Sequence, residues 1–312
     1  MQNTNHISTF ENMTKTKAWI SAFRLRTLPL SLSGILFGSF YAFYIGAFDL
    51  FIFALAVATT LCLQILSNLA NDLGDTLKGA DNENRVGPIR AVQSGKITAK
   101  EMKGAVVLFS ILSLAFAIPL VLEGTKRLPT ELLYVYIGLS FACVAAAIMY
   151  TVGKKAYGYQ GLGDVFVFIF FGLVSTLGIF TLLAYHFQIA LLLPACAIGL
   201  LSTAVLNLNN LRDHVNDAEV GKKSIVVKIG FDNAKRYHVA LIVSSFLLFL
   251  FFTVFIENYL LLLNLLPFLL LFKHLIFVVR AKDPKSLDPE LKKVALSTFL
   301  ICVISSILFS IV

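Results

Sequence analysis

The chain has 312 residues, of which 58% are hydrophobic and 14% charged, with a mean hydropathy of +0.82 and a formal net charge of +8. Soluble domains of this length carry many more charges, so the composition excludes one and defines an integral membrane protein. The apolar residues come in continuous runs and do not alternate, which excludes a transmembrane β-barrel and leaves an all-α membrane fold.

Met1 to Thr16 is polar and lacks the apolar core and small-residue cleavage site of a signal peptide. Trp19, Ile20 and Phe23 then share one helical face beside Lys17 and Arg24. That pattern predicts a short interfacial helix closing an N-terminal unit, 1–26. From 27 to 312 the chain reads as one membrane domain. Crossing roughly 30 Å of hydrocarbon takes about 20 apolar residues. Segments of that kind fall at 28–48, 50–71, 104–122, 132–151, 162–184, 189–209, 237–256, 258–279 and 293–312. Cys62, Cys143, Cys196 and Cys302 sit far apart inside these segments, without metal-ligand spacing. His214 and His238 have no partner at metal spacing and read as polar rim residues.

Basic residues orient the spans. With the N-terminus cytoplasmic, all of the 26 Lys and Arg residues except Lys126 and Arg127 fall on the cytoplasmic side. The positive-inside rule therefore places the N-terminus, and the long loops 74–103 and 211–236, in the cytoplasm of a cell that carries the protein in its inner membrane. The charge is a topology signature and calls for no nucleic acid.

Two polar clusters end the second and sixth segments: Asn68 to Asp75, and Asn209 to Asp217. Residues three and four apart share a helical face. Asn68, Asp72 and Asp75 form one such stripe, and Asn210, Asp213 and Asp217 the other. Both offer carboxylate and amide oxygens without soft ligands, the donor set of Mg²⁺. Carboxylates at the rim of a membrane bundle are costly unless they bind something. Two acidic stripes, each followed by a basic loop, point to an Mg²⁺-bridged diphosphate. Four segments separate the clusters, so their helices run in the same direction, as in a parallel internal repeat.

Over nearly its full length the chain resembles the UbiA superfamily of intramembrane prenyltransferases. Asn71-Asp72-x-x-Asp75 and Asp213-x-x-x-Asp217 carry the resemblance. Arg24 to Pro29, Gln93 to Thr98, Gly161 to Gly172 and Asn209 to Asp213 are most similar to its 1,4-dihydroxy-2-naphthoate polyprenyltransferase branch. The chain departs at Lys154-Lys155-Ala156, where many relatives have a proline.

The resemblance implies a nine-transmembrane-helix bundle with cytoplasmic cap loops. It also implies Mg²⁺ held by Asn68, Asp72, Asp75, Asn210, Asp213 and Asp217, with Arg85, Lys96, Arg212 and Lys222 on the diphosphate. Asp72 and Asp213 would share in catalysis, Tyr150 would line the cavity and face an allylic cation, and Asp164 would hold or deprotonate the acceptor. The implied partners are polyprenyl diphosphate, 1,4-dihydroxy-2-naphthoate and membrane lipid. Rival readings are another aromatic acceptor, such as 4-hydroxybenzoate or homogentisate, and transport of an anionic isoprenoid. The spans are nearly free of charge between their ends, which counts against transport.

Overall fold

The structure, a computed structural model, describes residues 14–81, 87 and 90–311. Among these, nine helices are long and apolar enough to cross a membrane. A short helix, α1 (Lys15–Phe23), precedes them. The spans are α2 (Leu28–Tyr44), α3 (Leu50–Leu77), α4 (Ala99–Gly124), α5 (Thr130–Met149), α6 (Gly163–Ala184) and α7 (Leu192–Glu219). After the short α8 (Ile225–Ile229) come α9 (Phe231–Phe255), α10 (Phe268–Arg280) and α11 (Asp288–Ile311). The nine predicted segments and the nine helices correspond one to one.

Local chemistry moves the boundaries. The Asp49 carboxylate caps α3, accepting from Phe51 N and Ile52 N at 2.8 and 3.0 Å. Thr98 and Glu101 form a capping box that starts α4 five residues earlier than its apolar run. Both acidic clusters are helical, so α3 and α7 each reach 28 residues. At 1.5 Å per residue that is about 42 Å, well beyond the hydrocarbon. The extra turns carry the Asn and Asp side chains to the rim.

α2, α9 and α11 meet through Phe37, Tyr41, Phe252 and Phe309, which pack edge-on at centroid distances of 5.4–5.8 Å. The short helix predicted before the first span is present as α1. α1 docks on α3 with Ala18 and Ala22 buried, and Phe23 packs edge-on against Phe109. Only Ile20 of the predicted apolar face is exposed, because the α3–α4 surface offers α1 an apolar seat. His238 departs from its rim reading. It is fully buried and hydrogen-bonds His274 at 2.8 Å, which in turn bonds Glu290.

One span is irregular. Within α6, Phe168–Val174 is a π-helical segment. Cavity-lining residues on α6 recur every fourth position, through Phe166, Phe170, Val174, Gly178 and Leu182. In a regular α-helix such a stripe drifts by about 40° per step. The wider π turn offsets that drift and keeps the stripe facing one way.

Candidate active site

α3 and α7 end on the same side of the bundle, as the parallel reading requires, and both acidic ends open into one cavity of about 410 Å³. Its mouth is polar. α3 supplies Asn71 and Asp75, α7 supplies Asn209, Arg212, Asp213, Asn216 and Asp217, and the loop after α7 supplies Lys222. Arg24 and Arg26, from the turn between α1 and α2, reach the same space. Below the mouth the wall is apolar and aromatic, with Leu63, Ala147, Tyr150, Phe166, Phe170 and Leu206. Along α3 the lining runs from Asp75 to Ala56, roughly 28 Å of helix at 1.5 Å per residue.

The carboxylates are held by cationic and phenolic partners. Arg212 grips Asp213 with Nε to Oδ1 at 2.9 Å and Nη2 to Oδ2 at 2.6 Å. The same guanidinium donates to Asn209 Oδ1 at 2.9 Å and to Asp288 at 2.5 Å. Lys222 Nζ lies 3.1 Å from Asp217 Oδ2. The Tyr159 hydroxyl donates to Asp75 Oδ1 at 2.8 Å. Lys78 and Lys222 flank the Tyr159 ring at 3.9 and 5.9 Å from its centroid. Burial pulls the Lys222 ammonium down, but the carboxylates of Asp217 and Asp75 outweigh it and hold the group above the ordinary lysine range, so it stays charged. Burial, reinforced by Asp75, raises the Tyr159 phenol, which therefore remains a donor. This is a rim of compensated charge at low dielectric.

The donor set suits a hard cation. It is all oxygen, and Asn216 Oδ1 is buried in the cavity wall without a hydrogen-bond donor among the described residues. No three acidic, His or Cys side chains among the described residues form a closed ion cage. Mg²⁺ on a diphosphate needs none: one or two protein carboxylates suffice, and phosphate and water complete its shell.

Tyr150, directly after α5, lines the cavity. Its ring meets Tyr157 edge-on at 5.4 Å. Gly163 leaves room for it, since a Cβ there would lie 3.1 Å from Tyr150 Cε2. Burial pushes the Tyr150 phenol up to about 12. Lys222 pulls against that shift, while the carboxylates of Asp75, Asp164 and Asp217 push with it.

The structure brings together Tyr150, Asp75, Asp213, Asp217, Arg212 and Lys222. It leaves other predicted residues outside the lining. Asn68 braces the chain entering α2, donating to Phe23 O at 3.0 Å and Thr27 Oγ1 at 3.1 Å, and its own oxygen accepts from Gln64. Asp72 is buried, with Oδ2 accepting from Ala91 N at 3.1 Å, so it anchors the loop after α3. Asn210 is buried beside the cavity-facing stripe of α7. Asp164 is buried outside the lining, where the Tyr237 hydroxyl of α9 donates to its Oδ2 at 3.1 Å. Lys96 is half-exposed in the loop before α4. Arg85 lies outside the described residues. Sequence reasoning missed Asn71, Asn209 and Asn216 as cavity residues, although they stand inside the clusters, and it missed Tyr159. The available signal for Tyr159 was an aromatic ring in a polar loop between Gly158 and Gly161.

An all-helical membrane bundle with two acidic helix ends over an apolar chamber defines a class, and the chain belongs to the UbiA prenyltransferase family, which it matches over residues 31–302. It is 42% identical over 287 residues to a 1,4-dihydroxy-2-naphthoate octaprenyltransferase of Escherichia coli (strain K12), covering 91% of this chain and 92% of that protein. It is 40% identical over 302 residues to the protein of the same name from Haemophilus influenzae, covering 94% and 96%. Its fold is shared with a UbiA homolog from Archaeoglobus fulgidus bound to GPP and Mg²⁺, with a TM-score of 0.65, 15% identity and coverage of 93% of this chain and 100% of that one.

Proposed function

We propose that the protein transfers a polyprenyl group from polyprenyl diphosphate to 1,4-dihydroxy-2-naphthoate with loss of CO₂, giving demethylmenaquinol, the reduced form of demethylmenaquinone, for menaquinone biosynthesis. One observation carries the reading. A single cavity, lined along roughly 28 Å of α3, joins two acidic helix ends and two buried cations to an apolar chamber, in a chain 40–42% identical to naphthoate octaprenyltransferases.

Asp75, Asp213 and Asp217 would hold Mg²⁺, with Asn216 Oδ1 in reach, and Asp72 steadies the loop beside them. Bound there, the metal supplies Lewis-acid neutralisation of the departing diphosphate. Arg212 and Lys222 donate charge-assisted hydrogen bonds to its remaining oxygens. The allylic C–O bond breaks toward the diphosphate, and the aromatic wall keeps water from the cation. The face of Tyr150 offers that cation its negative quadrupole. Arg24 and Arg26 face the acceptor's carboxylate. The ring carbon bearing the carboxylate forms the new C–C bond. The carboxylate bond then breaks, its electron pair restores the aromatic ring, and CO₂ departs. The protein sits in the cytoplasmic (inner) membrane with N-terminus and site on the cytoplasmic face, residues 27–312 forming one domain.

Purified protein should lose turnover in EDTA and regain it with Mg²⁺. Asp75→Ala and Asp213→Ala should each lower kcat by about 10²–10³-fold, the scale of losing a charge-stabilising group, while remaining monodisperse in detergent. Full activity in either variant would sink the metal-bridged site.

A further inference from the structure

Below the mouth, the cavity is bounded by α2, α3, α4, α5, α6 and α7. α5 is the most loosely held span, with no buried side chain, and it packs on α3 and α4. Its packing along α6 is much sparser. The seam between α5 and α6 is therefore a thin part of the chamber wall, lined by Leu139 and Cys143 on one side and by Phe170 and Val174 on the other.

In the deep half of that seam a polar strut crosses it. The Tyr136 hydroxyl of α5 donates to Gly178 O of α6 at 3.2 Å, and both residues line the cavity. Tyr136 lies about 21 Å below Tyr150 along α5. Beyond it Leu120, Val121 and Leu182 continue the lining for roughly one further helical turn. An isoprenoid tail that descends from the mouth thus meets a phenol ring, then a near floor. On the α5 side, the seam that Tyr136 spans is where a longer tail would pass out of the chamber. A tyrosine in a hydrocarbon chamber is costly unless its hydroxyl is paired, and here the pairing ties the two sparsely packed helices together. Gly178 presents no side chain opposite it; a Cβ there would stand 3.9 Å from Tyr136 Cε1.

We propose that Tyr136, seated against Gly178, is the specificity-determining residue for prenyl length, fixing the width of the α5–α6 seam through which long tails leave the chamber. The inference rests on the prenyl-transfer reading of the site. Its test compares kcat/KM for geranyl, farnesyl and all-trans octaprenyl diphosphates, with 1,4-dihydroxy-2-naphthoate and Mg²⁺, in purified wild type, Tyr136→Ala, Tyr136→Phe and Gly178→Leu. Tyr136→Ala opens the seam and should raise the octaprenyl-to-geranyl ratio fivefold or more. Gly178→Leu fills the seam from α6 and should lower the ratio fivefold or more. Tyr136→Phe keeps the ring, loses the strut, and should move the ratio in the same direction as the alanine variant. If Tyr136→Ala does not accumulate, the phenylalanine and leucine variants must still shift the ratio in opposite directions. Smaller shifts, or shifts in one common direction, overturn the assignment. Wild type that forms no product from any donor would instead overturn the prenyl-transfer reading itself.

Discussion

At the residue scale, Tyr150 separates the contribution of a ring from that of a hydroxyl. Its phenol is pushed up to about 12 by burial, so it stays neutral through the working range and supplies no base there. Tyr150→Phe should keep most of the activity, whereas Tyr150→Ala should lose at least about tenfold in kcat, since a desolvated cation–π contact is worth about 2 kcal/mol. The pH–rate profile adds a check. Any alkaline loss of activity below about pH 10, the ordinary tyrosine value, should appear unchanged in Tyr150→Phe. A limb that vanishes in the phenylalanine variant would mean that the hydroxyl titrates in the reaction. The acidic clusters were legible because oxygen ligands at helical spacing stand out at the end of an apolar run. Their facing was not. Asn71 and Asp72, or Asn209 and Asn210, are adjacent polar residues on different faces of one helix. The α1–α2 connection, which claims Asn68, and the loop at Ala91, which claims Asp72, decide which stripe sees the cavity.

At the scale of elements, hydropathy located every span because hydrocarbon leaves the backbone only the helix. The ends were misplaced where charged residues stay helical, at the acidic ends of α3 and α7 and at the capped start of α4. The π-helical turn of α6 had no sequence signature; it emerges from packing. Gly172 lies within it against α7, where a Cβ would come within 2.5 Å of Ala195 O and 2.6 Å of Gly199 Cα. Gly172→Ala must therefore push α6 from α7, a backbone clash that no rotamer relieves. Overpacking of this kind costs about 1–3 kcal/mol. The variant should show a lowered thermal midpoint in detergent together with reduced kcat, because the same shift moves Phe170 and Val174 in the chamber wall. An unchanged midpoint would show that the interface yields without cost.

At the scale of the whole molecule, the basic residues orient the bundle and so decide which compartment the cavity mouth faces. In a cysteine-free variant, a cysteine at exposed Lys126 should react with an impermeant thiol reagent applied to intact cells, and one at exposed Lys154 should not. The opposite pattern would turn the site to the outer face. Fold, family and chamber converge on one reaction, and its product is the direct witness. Purified protein given octaprenyl diphosphate, Mg²⁺ and an equimolar mixture of 1,4-dihydroxy-2-naphthoate and 4-hydroxybenzoate should yield, by mass spectrometry of the lipid extract, a prenylated naphthoquinol that has lost its carboxylate, with one CO₂ released per prenyl group transferred. A prenylated hydroxybenzoate, or a naphthoate product that retains its carboxylate, would contradict the account.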